Sequence, residues 1–418
     1  MASPNDGVAT LRTLPCVRDR CRVIFDLGKG GSLQHFRVNM DKLGEVVDLV
    51  QGLMDRDYAS YDDVPYHSRW RHFEVGGLDR VAKLRESWAC DATEEARRLV
   101  DLVIVSVLLD AGAGDRWRYR EAKTGLALGR SEGLGVASFH MFAAGAFSSD
   151  PTNPHRVDSA GLKALPDVAV RRAFQAEDEA ENPLVGCKGR TEVLQRLGVA
   201  LEKRPEYFEG AGGTLRPGNM VDYLLRQGDS SSTEQVPLAK LWEVVMYGLE
   251  SMWPAGRTTV DGQDMGDVWH HGGLPEDGTE WGQLVPFHKL SQWMTYSLME
   301  PLQAAGLTLT DKQIMTGLPE YRNGGLLLDV GLLEAKHAAV TGEPHHPHEE
   351  VIVEWRALTV CLLDEVARAL RDRLGKTEED FPLVLEGGTW KAGRVIARER
   401  RPDTGAPPIQ IISDGTVF

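Results

Sequence analysis

The chain has 418 residues, of which 42% are hydrophobic and 26% are charged, and its formal net charge at pH 7 is −15. A chain of this length can bury a large hydrophobic core. An acidic surface repels nucleic-acid phosphates and anionic lipid headgroups, so we expect no nucleic-acid partner and no membrane partner. A local basic pocket for one small anionic substrate is compatible with this charge.

The best candidate for a membrane span, Leu99–Leu109, is shorter than the roughly 18–20 residues needed to cross a bilayer and contains Asp101. It therefore predicts a buried helix. The first residues show neither the basic nor the apolar region of a secretory signal. The five cysteines are scattered without CxxC-type pairs, as is usual for reduced cysteines. We expect a soluble, cytoplasmic protein.

Apolar residues at helical spacing predict a mainly α-helical protein. In chain order, the sequence predicts a short strand at Val23–Phe25 and helices at Leu43–Met54, Glu94–Leu109, Asp158–Ala180, Thr191–Lys203, Pro237–Met252, Pro286–Ala305 and Glu349–Leu374. Valine and isoleucine runs between Gly/Pro turns predict a small β element after Phe381. Because no linker is apparent, we predict a single helical domain over residues 1–380, with a β-containing C-terminal tail over residues 381–418 packed on it.

Two histidines, two arginines and three aromatic residues lie within Tyr66–Phe73. The guanidinium of Arg69 or Arg71 can bind a phosphate through two parallel hydrogen bonds, with His72 beside it. In the alternative interpretation, the aromatic side chains pack and the arginines pair with nearby acids. Residue pattern alone favours this second interpretation.

Histidines cluster in two further places, Trp269-His270-His271 and the segment Pro344–Glu350. Neutral imidazoles beside carboxylates can ligate zinc or iron. However, the three histidines of the second segment lack the i, i+4 spacing that places two ligands on one helical face. The prolines indicate a loop that leads into the last long helix. We therefore assign no metal ligands, and leave open whether His345, His346 and His348 bind a metal.

The segment Leu318-Pro-Glu-Tyr-Arg-Asn-Gly-Gly325 contains a carboxylate in an unusual setting. Glu320 follows a proline, so a turn is expected to hold its side chain away from a regular element. A carboxylate beside a cleft can stabilise a developing cation or activate a water molecule. The alternative is a surface pair between Glu320 and Arg322 at a helix start. Lys289, just after Pro286, is expected in the first turn of another helix.

Several longer motifs together resemble one known family. They are Trp70-Arg-His-Phe73 with the trailing Val-Gly-Gly, Asn182–Arg190, Arg216-Pro-Gly-Asn-Met220, Val268-Trp-His-His271 and Val353-Glu-Trp-Arg-Ala-Leu358. They resemble the uracil-catabolism protein 4 family of fungi and bacteria, long described as a domain of unknown function. The resemblance runs from about Leu11 through nearly the whole chain. It implies a role in a pathway that opens the uracil ring, passes through ribosylurea and yields urea, beside a partner similar to GTP cyclohydrolase II.

A second resemblance is to queuosine salvage proteins, which are helical nucleosidases akin to DNA glycosylases. The order His288-Lys-Leu-Ser-Gln292, Pro319-Glu-Tyr-Arg322, Glu354-Trp-Arg-Ala357 is similar to motifs of that family. This implies a helical, DNA-glycosylase-like domain of the helix-hairpin-helix type. Two departures affect the substrate contacts. The turn acid is Glu320 rather than aspartate, and Ser297 stands where an acid is expected.

Together, the two resemblances imply an N-ribosyl hydrolase that cleaves the C1–N bond of ribosylurea or its 5′-phosphate. Glu320 would stabilise the oxocarbenium-like transition state and activate water. The proton donor to urea would be His288, His270 or Tyr321. Further substrate contacts are expected from Lys289, Arg322, Arg69, Arg71, His72, Trp269 and Glu354. This chemistry requires no metal or redox cofactor.

Two other functions stay open. One is an earlier ring-opening or deaminating hydrolase acting on a uracil nucleotide, assisted by a metal held at Trp269-His-His271 and the His345 segment. The other is a non-catalytic scaffold that couples a partner resembling GTP cyclohydrolase II to later steps. Bound stoichiometric zinc would favour the first, and full function of a Glu320→Gln variant would favour the second.

Overall fold

The computed structural model describes residues 6–110, 112–227, 235–253, 256–304, 306–378 and 386–412. In this part of the chain the α-helices are Gly7–Leu11 (α1), Leu14–Lys29 (α2), Leu43–Asp57 (α3), Trp70–Phe73 (α4), Arg80–Arg85 (α5), Ala92–Leu108 (α6), Arg130–Ala143 (α7), Ser159–Ala164 (α8), Asp167–Ala173 (α9), Cys187–Lys203 (α10), Pro205–Phe208 (α11), Met220–Gln227 (α12), Leu238–Glu243 (α13), Lys289–Ala304 (α14), Tyr321–Val330 (α15), Ala339–Gly342 (α16), Glu350–Leu374 (α17) and Lys391–Arg400 (α18). Short π-helical segments, Val244–Gly248 and Glu386–Trp390, directly follow α13 and precede α18.

The strands are short and pair two by two. They are Phe36–Val38 (β1), Tyr119–Arg120 (β2), Ala127–Leu128 (β3), Gln235–Pro237 (β4), Thr259–Val260 (β5), Gln263–Asp264 (β6), Val268–His270 (β7), Leu284–Pro286 (β8), Thr308–Thr310 (β9), Leu333–Ala335 (β10), Pro344–His345 (β11) and Gln410–Ile411 (β12). The pairs β4·β9 and β11·β12 are parallel, whereas β1·β10, β2·β3, β5·β6 and β7·β8 are antiparallel. The prediction of a mainly α-helical protein is confirmed. None of the described helices is long and apolar enough to cross a membrane.

The chain divides into two compact units, each assembled from separate stretches of sequence. Unit 1 comprises Met1–His67, Pro254–Trp293 and Lys312–Phe418, and unit 2 comprises Ser68–Trp253 and Met294–Asp311. The single helical domain over residues 1–380 stays a prediction. Two of the boundaries between the units are not marked in the sequence, since one lies inside Tyr66–Phe73 and another inside α14.

Unit 1 is built around α17, which packs against α2. Thr13 caps α2 by accepting a hydrogen bond from the backbone N–H of Cys16. The core around α17 includes Phe25, Phe36 and Trp355, each at most 1% exposed. Complete burial of such a side chain contributes about 1.5–3 kcal/mol. The core therefore fixes the helix whose second turn carries the candidate residue Glu354.

Unit 2 contains α6, the helix expected from the apolar run around Leu99. Its one acidic residue in that run, Asp101, is fully buried. The carboxylate accepts hydrogen bonds from Arg216 and from the backbone N–H groups of Val157 and Gly218. Burial raises the pKa of Asp101 to about 6. The Arg216-Pro-Gly motif thus has a structural role in satisfying this buried acid.

Three sequence predictions differ from the observed elements. The predicted strand Val23–Phe25 is wrong, because these residues lie within α2. The predicted helix Asp158–Ala180 is interrupted at Leu165, whose extended backbone precedes Pro166. The predicted C-terminal tail contains α18 as well as the small strand β12, which pairs with β11. Residues 381–385 and 413–418 of that tail lie outside the described residues.

Candidate functional site

Glu320 lies at the N-cap of α15, with an extended backbone. Its two carboxylate oxygens accept hydrogen bonds from the backbone N–H groups of Arg322 at 2.9 Å and Asn323 at 2.5 Å. The residue is 4% exposed. Two N–H groups at a helix N-terminus favour the ionised carboxylate. Glu320 is therefore neither an exposed surface residue nor paired with the guanidinium of Arg322.

Burial and the neighbouring charges act in opposite directions on the pKa of Glu320. Burial raises the pKa of Glu320 above its ordinary value, because a charged carboxylate is poorly solvated inside the protein. The two backbone N–H groups and the positive charges of Lys289 and His67 act against this increase. The net direction is upward. A raised pKa brings a carboxylate closer to the range in which it can take a proton from water.

Aromatic rings surround His67, the histidine whose charge acts on Glu320. The His67 ring lies 6.2 Å from the ring of Trp293 and 5.1 Å from that of Trp390, tilted by 33° in both cases. The ammonium of Lys289 lies 6.0 Å from the Trp293 ring centroid. The aromatic cluster of His67, Trp293 and Trp390 was not predicted from the sequence. Its members are separated by 97 or more positions in the sequence, so no local pattern marks them.

Asp267 organises the backbone beside this carboxylate. Its oxygens accept two hydrogen bonds from the guanidinium of Arg356, at 2.6 and 2.7 Å, one from the Trp269 indole and one from the backbone N–H of Lys289. The Arg356 charge holds the pKa of Asp267 well below its usual range, although most of the Asp267 side chain is removed from solvent. Arg356 also donates to the carbonyl of Pro319. Asp267 and Arg356 thus connect the start of α14 to the turn that presents Glu320.

The three candidates for proton donor have different surroundings. His288 is buried, and its Nε2–H donates to the carbonyl of Leu11 at 2.9 Å. Burial lowers the pKa of His288. His270 is exposed on β7, with Nε2 3.1 Å from the side-chain oxygen of Gln283. Tyr321 is partly buried, next to Glu320 in sequence, and its ring lies 5.0 Å from the guanidinium carbon of Arg322.

The backbone of His288 is also unusual. Its φ of +47° lies in the left-handed region, which is costly for a residue with a side chain. The backbone carbonyl of Asp267 accepts a hydrogen bond from Phe287 N–H at 2.9 Å, and its side chain accepts one from Lys289 N–H. These bonds hold the sharp turn that places Lys289 at the first position of α14.

The cationic candidates of unit 2 already have partners within that unit. Arg69 is completely buried and pairs with Asp110 at 3.1 Å, while its Nε donates to Ser106. Arg71 pairs with Glu74 and Glu300. These contacts match the structural alternative for the segment, in which the arginines pair with nearby acids.

His72 is also a buried residue of unit 2. It packs so closely on α7 that an added Cβ at Gly135 would lie 2.7 Å from the Cβ of His72.

Arg322, Trp269 and Glu354 lie in unit 1 with Glu320, but in different settings. Arg322 donates to the carbonyl of Gly405. Trp269 donates to Asp267 as described, and the guanidinium of Arg257 lies 5.7 Å from its ring centroid. Glu354 accepts from the backbone N–H groups of Gln34 and His35 rather than contacting the turn at Glu320.

The described residues offer one group that could hold a metal ion, and it contains none of the histidines of the two clusters noted in the sequence. It consists of His35, Glu350 and Glu354, whose potential ligand atoms lie within 4.8 Å of one another. His345 instead forms two hydrogen bonds. Its Nδ1 lies 2.9 Å from a carboxylate oxygen of Glu349, and its Nε2 bonds to the carbonyl of Ala339. The rings of His346 and His348 stack at 5.4 Å.

A mainly helical chain with a buried, helix-capping glutamate matches one family of proteins over almost its full length. The family model described as "Protein of unknown function (DUF1688)" matches residues 10–418, and the chain belongs to this family. Uracil catabolism protein 4 from Lachancea kluyveri is 39% identical over 449 residues, and Protein urg3 from Schizosaccharomyces pombe is 39% identical over 422 residues. Each comparison covers 99% of both chains. The family resemblance inferred from the sequence is confirmed.

Proposed function

We propose that this protein acts in uracil catabolism as an N-ribosyl hydrolase. It would cleave the C1–N bond of ribosylurea, or of its 5′-phosphate, and release urea. The pathway is suggested by the name of the relative Uracil catabolism protein 4. The observation that carries the chemistry is the buried carboxylate of Glu320, which two backbone N–H groups hold in place without a pairing arginine.

The first role of Glu320 in this proposal is electrostatic. As the C1–N bond lengthens, positive charge develops on the ribose ring, and a fixed anion nearby lowers the energy of that state. The low polarity of a buried site strengthens this attraction compared with water. The helix N-terminus keeps the anion oriented before the substrate binds.

The second role is proton transfer. A water molecule attacks C1 and loses a proton to Glu320, whose raised pKa suits it to accept one. The electron pair of the C1–N bond passes to the urea nitrogen, which must gain a proton to leave as neutral urea. We assign this donation to Tyr321, because the Nε2–H of His288 is held by the Leu11 carbonyl and His270 is exposed. The products are ribose, or ribose 5-phosphate, and urea.

Two further features would recognise the substrate. The ureido group is planar and can stack on an aromatic ring such as Trp293 or Trp390. The amide oxygen of Asn323 is buried and accepts no hydrogen bond from the described residues, so a ureido N–H would satisfy it. For the phosphorylated substrate, the ammonium of Lys289 would supply the balancing charge.

We extend the proposal to the domain type and to the partner. The turn at Pro319–Arg322 and the N-capping acid would belong to a helical, DNA-glycosylase-like domain of the helix-hairpin-helix type, as the similarity to queuosine salvage proteins implies. An enzyme resembling GTP cyclohydrolase II would supply the ring-opened substrate, in free or associated form.

The test is incubation of the pure protein with ribosylurea and with its 5′-phosphate, with urea, ammonia and free sugar measured separately. Cleavage of the C1–N bond predicts equal amounts of urea and of ribose or ribose 5-phosphate, with no ammonia. Attack on the ureido carbonyl would instead release ammonia and carbon dioxide, in favour of a different hydrolase. If the folded protein releases no urea from either compound, the proposed function is wrong.

The metal-assisted alternative now has a specific observation in its favour, the group of His35, Glu350 and Glu354. It predicts that the folded protein converts a uracil nucleotide and that chelators abolish this activity. Retention of urea release from ribosylurea in the presence of a chelator would favour the hydrolase that depends on Glu320. The scaffold alternative predicts no turnover of either kind and direct binding of the cyclohydrolase-like partner.

A further inference from the structure

A second cluster of unit 1, unrelated to Glu320, combines a histidine with two glutamates. Glu350 and Glu354 lie one turn apart at the start of α17, so both side chains are on the same face of the helix. His35 precedes β1. One ring nitrogen of His35 and one oxygen of each glutamate lie within 4.8 Å of one another. Imidazole and carboxylate donors together are typical ligands of borderline divalent metal ions.

Pairing of β1 with β10 fixes the position of His35. Its carbonyl accepts a hydrogen bond from the backbone N–H of Lys336 at 2.9 Å, which continues the strand pair. The Nδ1 of His35 then lies 3.1 Å from Nε2 of His337. Metal-binding histidines usually have their second ring nitrogen held in this way by a neighbouring group. His337 would therefore orient the His35 ring without ligating the metal.

Backbone N–H groups hold the two carboxylates as well. The oxygens of Glu354 accept from Gln34 N–H at 3.1 Å and His35 N–H at 3.0 Å, and Glu350 accepts from Gly272 N–H at 3.0 Å. Each hydrogen bond uses only part of the capacity of a carboxylate oxygen. The remaining lone pairs can bind a cation without any of these bonds being broken.

Histidines, rather than lysines or arginines, lie beside this pair of glutamates. Within the described residues, no lysine or arginine forms an ion pair with Glu350 or Glu354. Two like charges at i and i+4 of a helix repel each other. A divalent cation between the carboxylates would remove this repulsion.

His271 supplies an independent indication that a ligand binds here. It is 1% exposed, and its Nδ1 accepts a hydrogen bond from the backbone N–H of Gly273, so the ring proton of the neutral form is on Nε2. This Nε2 is buried, lies 3.7 Å from Glu354 Oε1, and has no hydrogen-bond acceptor among the residues that the structure describes. A buried N–H group requires an acceptor. A water molecule bound to a metal at the glutamates would provide one.

We propose that His35, Glu350 and Glu354 bind one divalent metal ion of the Zn²⁺ class, with water completing the coordination. Ligand atoms around one such ion, at metal–ligand distances of about 2.0–2.2 Å, lie at most about 4.4 Å apart, so binding draws them slightly closer together. His35 and Glu350 are only partly buried and can make this adjustment. The ion joins the first turns of α17 to the segment before β1.

This site is distinct from the one at Glu320. Glu354 and Arg356 are two residues apart in α17, and successive residues of a helix are rotated by about 100°, so their side chains point to nearly opposite sides. Arg356 contacts Asp267 and the carbonyl of Pro319, beside Glu320. The metal site is therefore on the other side of the helix, and its test does not depend on urea release.

The experiment uses the full chain, stripped with a chelator, dialysed and titrated with Zn²⁺ by calorimetry, with the metal content measured by mass spectrometry. We expect one Zn²⁺ per chain and a higher melting temperature. His35→Ala and Glu350→Gln should each weaken binding by about tenfold or more. Glu350→Gln keeps an oxygen that can accept from Gly272 N–H, and circular dichroism checks that both variants are folded.

The matched control is the His346→Ala/His348→Ala double variant, which removes an exposed histidine pair outside the proposed site. It should bind Zn²⁺ as tightly as the parent protein. The proposal is overturned if the folded parent binds no Zn²⁺. It is equally overturned if the double variant loses binding while His35→Ala and Glu350→Gln retain it, because the ion would then be adventitious.

Discussion

Asp267 and Glu320 are two largely buried carboxylates of unit 1 with opposite electrostatic settings. Asp267 is bound by the guanidinium of Arg356 and by two further N–H donors, and its pKa is depressed. Glu320 receives two backbone hydrogen bonds and no arginine, and its pKa is raised. Both side chains are largely buried, so the difference between their pKa shifts comes from their hydrogen-bond and ion-pair partners. Asp267 has no bonding capacity left for a substrate, whereas Glu320 retains lone pairs and proton affinity.

This difference separates a residue that holds the site from a residue that can react. A charge fully paired with an arginine stabilises a fixed geometry and changes little during a reaction. A carboxylate with an elevated pKa and incomplete hydrogen bonding can accept a proton or stabilise a cation. We therefore expect substitutions of Asp267 to act mainly on stability and substitutions of Glu320 mainly on activity.

The largest effect on stability is expected from Asp267→Asn. This change leaves the buried guanidinium of Arg356 without its charge partner, which typically costs about 3–5 kcal/mol. The free energy of unfolding from urea denaturation provides the measurement. Glu320→Gln is the matched comparison and should lose only about 0.5–2 kcal/mol, the range for loss of a helix cap. Equal losses in the two variants would contradict the distinction between them.

A smaller effect is expected on substrate binding from Lys289→Met. Loss of a charged hydrogen bond costs about 1.5–3 kcal/mol, which corresponds to a roughly 10- to 150-fold increase in KM for ribosylurea 5′-phosphate. The KM for unphosphorylated ribosylurea should stay nearly constant, because that compound has no phosphate to lose. Steady-state kinetics on both compounds checks this. Lys83→Met, at an exposed lysine of unit 2, is the control. Equal increases for both substrates would remove Lys289 from phosphate recognition.

The smallest effect is expected in the pH dependence of stability. Because the folded protein raises the pKa of Glu320, the unfolded chain loses this proton first as the pH increases. The stability of the parent relative to Glu320→Gln should therefore fall as the pH rises above the ordinary glutamate value of 4.5 and level off above the folded pKa. Asp267 has the opposite sign, since its depressed pKa contributes stability that is lost as the pH falls below 3.8. Urea midpoints across this pH range measure both trends. A flat difference for Glu320 would contradict its raised pKa.

Local sequence signals predicted part of this arrangement. Pro319 before Glu320, with Tyr-Arg after it, indicated a turn that presents a carboxylate, and the structure has a helix cap there. Periodicity located α3, α6, α14 and α17, because amphipathic spacing depends on neighbouring residues alone. The strand predicted at Val23–Phe25 is wrong because tertiary packing overrides local propensity: Ile24 and Phe25 lie on the buried face of α2, whereas Val23 is exposed.

Contacts between distant residues were not predictable. Asp267 and Arg356 are 89 positions apart, and nothing in the sequence around Asp267 marks it as the partner of that arginine. His35 and His337 are separated by 302 positions and meet only because β1 pairs with β10. Arg69 looked like a phosphate ligand because its neighbours are aromatic and basic. Arg69 is buried beside Asp110 because residues distant in the sequence pack around it, and its immediate sequence neighbours do not indicate this.

The most direct test of the account is the rate of urea release by Glu320→Gln compared with the parent protein and with Glu343→Gln, a change at an exposed glutamate. Loss of a general base typically lowers kcat by about 10²- to 10⁴-fold, so we expect a decrease of this size for Glu320→Gln and parental activity for Glu343→Gln. Circular dichroism confirms that both variants are folded. If Glu320→Gln releases urea at the parental rate, Glu320 has no part in the chemistry and the central claim is wrong.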